Sequence, residues 1–349
     1  MRETGRGPRR PVGSMDVARL AGVSQKTVSR VINGEPNVRD NLRERVLQAA
    51  RELGYRPNTA ARALIKGRFH RIGVVSLGST LYGPASTLVA LERAARSTGY
   101  SLSIVCTLEG EPGGISAAID SLIGQGVDGI VLSEPIDEGQ DVAFDPDVPV
   151  VSFNQLPQPC AEKGVFVGGD GVAAARVATE HLLFLGHPTV WHVAGPQRWW
   201  VSRDRLVGWR EALAAAGVPE PPVLRGDWYP ASGYAAGLEL VAAGDVTAVF
   251  VANDDMAIGV MRALAEAGLR VPEDVSVVGF DDTPSAAYLV PPLTTIRGDF
   301  EGAAVRGLQL LVERIEGVTG TPVPEEPPVE LIVRGSTAPP GNRGDRLTP

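Results

Sequence analysis

Residues 22–32, GVSQKTVSRVI, have the apolar spacing of a helix but very little apolar surface. Val28, Val31 and Ile32 fall on one side of that helix, and the other side carries side chains that donate or accept hydrogen bonds. Arginine can pair with the edge of guanine, glutamine with adenine, and lysine with guanine or phosphate. Hydroxyl and amide groups suit phosphate oxygens. The predicted base-reading residues are Gln25, Lys26 and Arg30, and the predicted phosphate-binding residues are Ser24, Thr27, Ser29 and Asn33.

The sequence before this stretch predicts a helix that would hold it in place. MDVARLA has helical spacing, with Ser14 as the predicted N-cap and Asp16 in the first turn, where the helix dipole favours an acid. Gly22 follows at the position where a tight turn requires a positive φ. Ser24 is the predicted N-cap of the second helix. Two helices joined by a short turn, the second polar on its outer face, indicate a helix-turn-helix.

A third helix is predicted after the pair, with Asp40 as its N-cap and Gly54 as its C-terminal stop. Its apolar stripe consists of Leu42, Val46, Ala49, Ala50 and Leu53. A helix bundle with a purely structural role is the alternative to DNA binding. The glycine turn, the caps and the N-terminal position favour DNA binding.

Charge separates the chain into two parts. Residues 1–70 contain 15 Lys and Arg against 6 Asp and Glu, a net charge of +9, whereas residues 71–349 contain 18 against 35, a net charge of −17. We call residues 1–70 the basic head and residues 71–349 the acidic body. This separation predicts that the head alone binds a polyanionic partner. A basic tail that only improves solubility is the alternative, but the positive charge extends through all the predicted N-terminal helices.

Residues 55–68, YRPNTAARALIKGR, predict a short helix next to the head. Pro57 pushes the preceding residue towards an extended conformation, Asn58 is the predicted N-cap, and Gly67 ends a helix at residues 59–66. An isolated helix of about eight residues is marginal in water. We therefore expect it to order only against a partner; an ordinary basic linker is the alternative.

From residue 71 onward, short apolar runs alternate with alanine-rich stretches of helical spacing. The predicted strands are IGVVSL, SLSIVCTL, DGIVLS, VPVVSF, GVFVGG, TVWHVAG, TAVFVA and VSVVGF, and the predicted helices include residues 84–97, 171–185, 203–216, 232–243 and 254–267. This alternation indicates parallel sheets covered on both faces. Eight or nine strands over about 265 residues favour two doubly wound subdomains.

Polar residues follow several of these strands, where ligands bind in open α/β sheets. The four strand-end residues are Asn154, Asp170, Asn253 and Asp281. Acids and amides match the vicinal hydroxyls of a sugar, Arg205 adds a fork of donors, and Trp228 offers an indole face for a sugar ring. Helix capping by Asp170 and Asp254, and a core position for Trp228, are the alternatives. We expect Asn253, Asp281 and Arg205 to form one ligand site.

Long motifs of the chain resemble the lactose-repressor (LacI/GalR) family of bacterial transcription regulators. MDVARLAGVSQKTVSRVING and NVRDNLRERVLQAARELGYRPNTAARAL are similar to the family's DNA-binding region, and VANDDMAIGVMRALAEAGLRVPEDVSVVGFDDT and PPLTTIRGDF to its regulatory domain. The resemblance covers about residues 15–336. It implies an N-terminal all-α helix-turn-helix domain and an α/β core, similar to periplasmic sugar-binding proteins, of two doubly wound parallel-sheet subdomains.

The resemblance also implies roles for individual residues. The hinge helix would pair with its copy from a second subunit in the minor groove, with Leu64 as the wedge that opens a base step and Ala61 at the point of close approach. The predicted DNA-binding set also includes Asp16, Tyr55 and Asn58. In the body, Arg205, Asn253 and Asp281 would contact sugar hydroxyls. The implied apolar wall consists of Leu81, Pro84, Phe166, Trp228 and Phe300.

Some positions depart from the family's type member. Asn154, which we place in the effector site, stands where that member has an acid, Leu77 where it has a serine, and Gly298 where it has a glutamine. QRWW at residues 197–200 adds two tryptophans near the predicted mouth of the site. We therefore expect a sugar or glycoside that is read differently, with a galactoside left open.

The expected organisation has five parts. They are a disordered basic tail at residues 1–13, the helix-turn-helix domain at 14–57, the hinge helix and linker at 58–69, the effector-binding and dimerisation domain at 70–336, and a disordered tail at 337–349. The first subdomain would comprise about 70–166 and 299–327, and the second about 167–297 and 328–336. No leucine heptad follows the body, so we expect a homodimer.

We expect a cytoplasmic, nucleoid-associated repressor that binds double-stranded operator DNA and is released by a carbohydrate effector. A corepressor-dependent repressor is one alternative. A sugar-binding transport protein is another, opposed by the basic head and the missing h-region of a signal peptide.

Neither catalytic residues nor a metal or cofactor is expected. GGDGVAAA lacks the third glycine of a dinucleotide loop and the lysine of a P-loop. His181, His187 and His192 lack the partners of a metal site, and Cys106 and Cys160 are isolated. No apolar stretch approaches the ~18 residues of a membrane-spanning helix.

Overall fold

The computed structural model of the chain describes residues 12–32, 34–56, 68–107, 114–134, 136–139, 142, 145, 147–153, 165–318 and 326–341. The chain divides into two compact units, Met1–Phe69 and His70–Pro349. Over the described part of the chain, no helix has both the length and the apolar character needed to cross a membrane.

The described residues of the first unit form three helices around a small aliphatic core. α1 spans Ser14–Ala21, α2 spans Gln25–Ile32 and α3 spans Asp40–Leu53. Gly22, between α1 and α2, has φ 62°, as the predicted turn requires. The buried core residues are Val17, Ala18, Ala21, Val28, Val31, Val46, Ala49 and Ala50. The helix-turn-helix arrangement is therefore confirmed, and the third helix packs on both of its members.

Two predicted helix caps in this unit are wrong by one residue. Gly13, not Ser14, is the N-cap of α1, because Gly13 has an extended backbone and its N–H donates to Asp16 Oδ2 over 2.9 Å. Arg39, not Asp40, is the N-cap of α3. Asp40 is instead the first helical residue, where its charge still complements the helix dipole.

The first sheet of the second unit is entirely parallel. Its strands are β1 (Arg71–Leu77), β2 (Ser101–Thr107), β3 (Gly129–Leu132), β4 (Val150–Ser152) and β5 (Val165–Phe166). Their spatial order is β2-β1-β3-β4-β5, and Val74 of β1 lies between Ile104 of β2 and Val131 of β3. α4 (Tyr82–Ser97) and α5 (Gly114–Gly124) pack on this sheet. β3 and β4 are fully buried, as expected for strands covered on both faces.

The second sheet has six strands. They are β6 (Trp191–Ala194), β7 (Leu224–Arg225), β8 (Ala248–Val251), β9 (Ser276–Asp281), β10 (Thr294–Arg297) and β11 (Glu330–Ile332). The order is β11-β10-β9-β8-β6-β7, and only β11 is antiparallel to its neighbour. α6 (Gly171–Phe184), α7 (Trp200–Ala216), α8 (Pro230–Ala243) and α9 (Asp254–Glu266) belong to this half. Each of the eight predicted apolar runs contains a strand, whereas β7, β10 and β11 were not predicted.

Close helix packing supports the second sheet. α8 and α9 lie against each other where Gly233 and Gly259 carry no side chains, and a Cβ on Gly259 would overlap the carbonyl oxygen of Pro230. On the opposite face, the fully buried Trp209 and Phe250 belong to one core cluster. The two-subdomain α/β fold class is therefore confirmed.

The chain passes between the two sheets three times. It leaves the first sheet after β5, returns after β10 to form α10 (Phe300–Glu316) against α4, and crosses back to form β11. A polar link also joins the halves. Ile136 pairs with Trp199 in an isolated β-bridge, Asp137 N donates to Arg198 O over 2.8 Å, and Arg203 Nη2 donates to Asp137 Oδ2 over 2.7 Å.

The predicted disordered tail at residues 337–349 is wrong at its beginning. Thr337 Oγ1 lies 3.1 Å from His181 Nε2, and the backbone N–H of Ala338 donates to Ser276 Oγ over 3.0 Å. Ala338 O lies 3.0 Å from His187 Nε2. These bonds hold the start of a Pro- and Gly-rich segment whose composition alone suggested disorder. Residues 342–349 lie outside the described residues.

Candidate functional site

A cavity of about 260 Å³ lies beyond the carboxyl ends of strands from both sheets of the second unit. Of the nine residues predicted for the effector site, seven line this cavity: Leu81, Pro84, Arg205, Trp228, Asn253, Asp281 and Phe300. Asn154 lies outside the described residues, and only the backbone of Phe166 is described, in β5. The position agrees with the rule that ligands bind beyond the carboxyl ends of parallel strands.

Arg205 on α7 and Asp281 at the end of β9 form the most buried charged pair of the cavity. Arg205 Nη2 lies 3.6 Å from Asp281 Oδ1, beyond hydrogen-bond distance. Arg205 Nη1 donates to the carbonyl oxygen of Ala252, and the guanidinium carbon lies 3.6 Å from the centre of the Phe280 ring. Burial lowers the pKa of Arg205. The pair therefore presents a donor and an acceptor to the cavity that do not satisfy each other.

Asp281, the acidic member of this pair, lies where burial disfavours its charged form. Burial, opposed by Arg205 and assisted by Asp254, raises the pKa of Asp281 to about 7. Burial also raises the pKa of Asp254 to about 6, although Asp254 accepts hydrogen bonds from Thr283 N over 2.7 Å and from Thr295 Oγ1 over 2.6 Å. Two neighbouring buried carboxyls are therefore protonated more readily than exposed ones.

Asn253 and Trp228 hold each other in place. Asn253 Oδ1 accepts from Met256 N over 2.9 Å and caps α9, while Asn253 Nδ2 donates to Trp228 O over 2.9 Å. The cap of α9 is therefore Asn253, and the interpretation of Asp254 as a cap is wrong because Asp254 is the first helical residue.

The cap at Asp170 is confirmed, since its side chain accepts from the third residue of α6 over 2.8 Å.

The indole of Trp228 lines the cavity and is itself buried. Its backbone has φ 78°, which L side chains rarely adopt, and its ring meets Trp199 edge to face with centroids 5.6 Å apart. Gly195 makes room for it, because a Cβ there would overlap the indole ring. The core interpretation and the ligand interpretation of Trp228 are therefore compatible.

Apart from Trp228, the described residues of the apolar wall come from the first sheet's side of the cavity. Leu81 precedes α4, Pro84 lies in its first turn, and Phe300 begins α10. Tyr82 meets the Phe300 ring edge to face at a centroid distance of 5.7 Å, which fixes the direction of the phenyl ring. These side chains face the polar residues that the second sheet contributes.

Several residues that line the cavity were missed by the sequence analysis. They are Glu134, Trp199, Asp204, Phe280, Asp299, Arg306 and Glu326. Trp199 belongs to the QRWW motif, so a signal for it existed. Glu134 follows β3 as Asn253 follows β8, but it is not preceded by an equally long apolar run. Its carboxylate accepts from Leu77 N over 3.0 Å and from Ser76 Oγ over 2.8 Å, and burial raises its pKa.

In the first unit, α2 presents the predicted base-reading residues on its outer side. Gln25 and Lys26 are exposed, and Arg30 is half-buried one turn later. Gln25 Nε2 donates to Ser14 Oγ over 2.9 Å, and Arg30 Nε donates to Glu35 Oε2 over 3.0 Å. Both bonds are exposed, so base edges can replace them at little cost.

The other predicted DNA-binding residues divide into three groups. Ser24 is confirmed as the cap of α2, because Thr27 N donates to its hydroxyl over 3.1 Å; Ser29 is exposed on α2. Asp16 is engaged with the N-cap of α1, and Tyr55 packs against the helical core. The residues outside the described part of the chain are Asn33, Asn58, Ala61 and Leu64, and with them the predicted hinge helix.

No metal site is visible in the described ranges, where no three His, Cys, Asp or Glu side chains are grouped suitably for a metal ion.

Two family profiles match the sequence. The profile "Bacterial regulatory proteins, lacI family" matches residues 15–58, which include α2, α3 and all of α1 except its first residue. The profile "Periplasmic binding protein-like domain" matches residues 179–337, which include the whole second sheet.

Curated relatives are similar along most of the chain. The lactose operon repressor of Escherichia coli K12 is 34% identical over 353 residues, which cover 96% of this chain and 93% of the repressor. The HTH-type transcriptional regulator CelR of Thermobifida fusca is 38% identical over 346 residues, which cover 94% of this chain and 98% of CelR.

Solved structures show the same similarity in three dimensions. A lac repressor dimer bound to operator and the anti-inducer ONPF has a TM-score of 0.82 and 33% identity, and the match covers 94% of this chain and 100% of that one. A CelR–cellobiose complex has a TM-score of 0.68 and 34% identity, with 94% and 100% coverage.

Proposed function

The chain belongs to the lacI family of bacterial regulatory proteins, and from that premise we propose that a sugar or glycoside effector releases it from operator DNA. As a member of that family it is a DNA-binding transcriptional regulator. The observation that carries the proposal is the cavity at the carboxyl ends of both sheets, which seven predicted effector residues line.

The DNA-binding half of the proposal rests on α2. A homodimer would present two copies of α2 to successive major grooves of a palindromic operator, with Gln25, Lys26 and Arg30 towards the base edges. The predicted hinge helix, residues 59–66, would pair with its copy from the second subunit between the two grooves. The similar lac repressor dimer is bound to an operator, which supports this arrangement. Contacts from Lys and Arg to phosphates would make the affinity strongly dependent on salt.

The effector half rests on the chemistry of the cavity. Arg205 and Asp281 stand 3.6 Å apart without bonding each other, so both can bond to the hydroxyls of a sugar. Trp228 and Phe300 supply aromatic surface for the apolar faces of a sugar ring. The similar CelR structure contains cellobiose, which supports a carbohydrate as the ligand class.

Release from DNA would follow from a change in the relative orientation of the two subdomains. Because both contribute to the cavity wall, a ligand can bind one orientation more tightly than another. The shift in operator affinity cannot exceed that difference in ligand affinity. We further propose that the chain acts in the cytoplasm at the nucleoid and catalyses no reaction, as its relatives are regulators.

The test uses the purified full-length chain. Selection from random duplexes gives an operator, and fluorescence anisotropy then measures operator affinity in the presence of mono- and disaccharides. We expect at least one sugar to weaken operator binding and to be recovered unchanged. Arg205→Ala and Asp281→Ala should bind the operator normally but lose the response, whereas Arg225→Ala, an exposed arginine of β7, should behave as wild type.

Three outcomes would correct the proposal. A sugar that strengthens operator binding would identify a corepressor-dependent member of the family. A sugar that binds without changing operator affinity would contradict a regulatory role for the cavity. Wild-type responses in both cavity variants would show that the effector binds elsewhere.

A further inference from the structure

Several buried hydrogen-bond donors without acceptors belong to residues that line the cavity. Within the described ranges, Trp199 Nε1, Trp228 Nε1 and Arg306 Nη2 are buried without a hydrogen-bond acceptor, and all three residues line the cavity. Indole and guanidinium groups can only donate. A buried donor without an acceptor is costly, so a ligand oxygen that reaches any of these nitrogens would stabilise the complex.

Arg306 on α10 sits in an arrangement that repeats the Arg205–Asp281 pair. Its side chain is 8% exposed, and its Nη1 donates to Asp299 Oδ2 over 2.9 Å. Its Nη2 lies 3.6 Å from Glu326 Oε1, again beyond hydrogen-bond distance. A second guanidinium nitrogen therefore faces a carboxylate across a gap that a hydroxyl group can bridge.

The two arginine–carboxylate groups belong to different halves of the second unit. Arg205 and Asp281 are carried by α7 and β9 of the second sheet, whereas Arg306 and Asp299 are carried by α10, which packs against α4 of the first. One such group matches neighbouring hydroxyls on one sugar ring. Because the two groups lie on opposite walls of the cavity, a ligand with two rings can contact both.

The charge of the cavity restricts the ligand further. Its lining includes six carboxyl residues and three arginines. Burial raises the pKa of both Asp204 and Glu326. Phosphate or carboxylate groups on a ligand would meet this excess of acids.

We propose that Arg306, together with Asp299 and Glu326, forms a second hydroxyl-binding subsite, and that the effector is an uncharged glycoside of at least two sugar rings. This inference rests on the proposed function, because it concerns the same cavity. Arg306 determines specificity for ligand length, while Arg205 and Asp281 hold the ring that every ligand shares.

Calorimetric titration of the full-length chain tests the subsite. The probes are cellobiose, maltose, trehalose, lactose and melibiose, together with glucose, galactose and glucose 6-phosphate. At least one disaccharide should bind about tenfold or more tighter than its component monosaccharides, which is the size expected for hydrogen bonds to a charged group. Glucose 6-phosphate should bind no tighter than glucose.

Variants distinguish the subsite from a general effect on the fold. Arg306→Lys keeps the charge beside Asp299 but loses the second nitrogen, so it should weaken the disaccharide about tenfold and the monosaccharide less than about twofold. Arg205→Lys should weaken both. Arg314→Lys changes an exposed arginine on the same helix and is the matched control. The melting temperature of each unliganded variant establishes that it folds.

The possible failures are separable. If Arg306→Lys binds the disaccharide as tightly as wild type, or if a monosaccharide or glucose 6-phosphate binds at least as tightly as every disaccharide, the second subsite is wrong and the sugar-regulated function stands. If none of the probes binds, both the subsite and the sugar effector are wrong.

Discussion

Asp281 should make the second unit less stable as the pH rises towards and through neutrality. The pKa of Asp281 is about 7 in the folded chain, against an ordinary value of 3.8. Between these values the folded chain holds a proton that the unfolded chain has released, so this contribution to stability is present at low pH and lost as the pH rises. For these two pKa values the loss between pH 5 and pH 8 is about 2–3 kcal/mol.

Replacing Asp281 by asparagine isolates this contribution. Other buried groups titrate in the same range: burial raises the pKa of Asp254 to about 6 and lowers that of His192 to about 4. The contribution of Asp254 to the free energy of unfolding also falls with rising pH. The contribution of His192 rises with pH, because His192 is protonated at a higher pH in the unfolded chain than in the folded chain. Both remain in Asp281→Asn, so the difference in unfolding free energy between wild type and variant reports Asp281.

Urea unfolding followed by tryptophan fluorescence measures that difference. All five tryptophans lie in the second unit, so the signal reports on this unit alone. The free energy of wild type minus that of Asp281→Asn should fall by about 2–3 kcal/mol from pH 5 to pH 8 at constant ionic strength. Asp245→Asn, at an exposed position, should show no such trend. A difference that stays constant or rises with pH would mean that Arg205 keeps Asp281 ionised, and our reasoning about burial would be refuted.

Three further variants probe other parts of the chain. Arg30→Ala should remove about 1–3 kcal/mol of discrimination between the selected operator and a scrambled duplex in a gel-shift titration, and an unchanged preference would exclude base reading by this residue. Gly195→Ala should displace the Trp228 indole and weaken sugar binding in calorimetry while operator affinity stays intact; normal sugar affinity would show that the indole does not contact the ligand. Gly259→Ala should lower the unfolding free energy by about 3 kcal/mol or more, because the new methyl overlaps the backbone of α8. Gly124→Ala, at a helical glycine with open space around it, is its control, and equal stability of the two variants would contradict the steric argument.

Much of the fold could be predicted because its signals are local. Parallel strands covered on both faces leave continuous apolar runs, and all eight runs contain a strand. β7 has only two residues, Leu224–Arg225, and β11 is a three-residue antiparallel edge strand, so neither produces a run long enough to recognise. The caps of α1 and α3 were misplaced by one residue because Gly13 and Arg39 act through backbone conformation, which residue type does not reveal.

The residues that line the cavity also differ in whether a local sequence signal marks them. Asn253 and Asp281 were predicted because each directly follows an apolar run, and the topology of parallel sheets brings such positions together. Arg306 has no comparable signal. It lies on α10, and it reaches the cavity only because the chain crosses back to the first sheet after β10. Its partner Asp299 lies where the chain enters the first subdomain after β10, and Glu326 lies where the chain returns towards β11, so their meeting is a property of the tertiary structure.

If the proposed function is right, the subdomain that carries each lining residue determines its effect. The residue contributes either to ligand affinity alone or also to the coupling between ligand binding and operator binding. Arg205, Trp228, Asn253 and Asp281 all belong to the second subdomain, so their contacts with a ligand are the same in every relative orientation of the two halves. Contacts that do not differ between two states cannot shift the equilibrium between them.

Orientation dependence must therefore come from first-subdomain groups, among them Leu81, Phe300 and Arg306, which meet the ligand from the opposite wall. A small ligand that fills only the Arg205–Asp281 end should occupy the cavity without releasing the operator and should compete with the true effector. A ligand that also reaches Arg306 should bind one orientation preferentially and act on DNA. The sign of regulation thus depends on the first subdomain, although most of the polar residues that identify the site lie on the second.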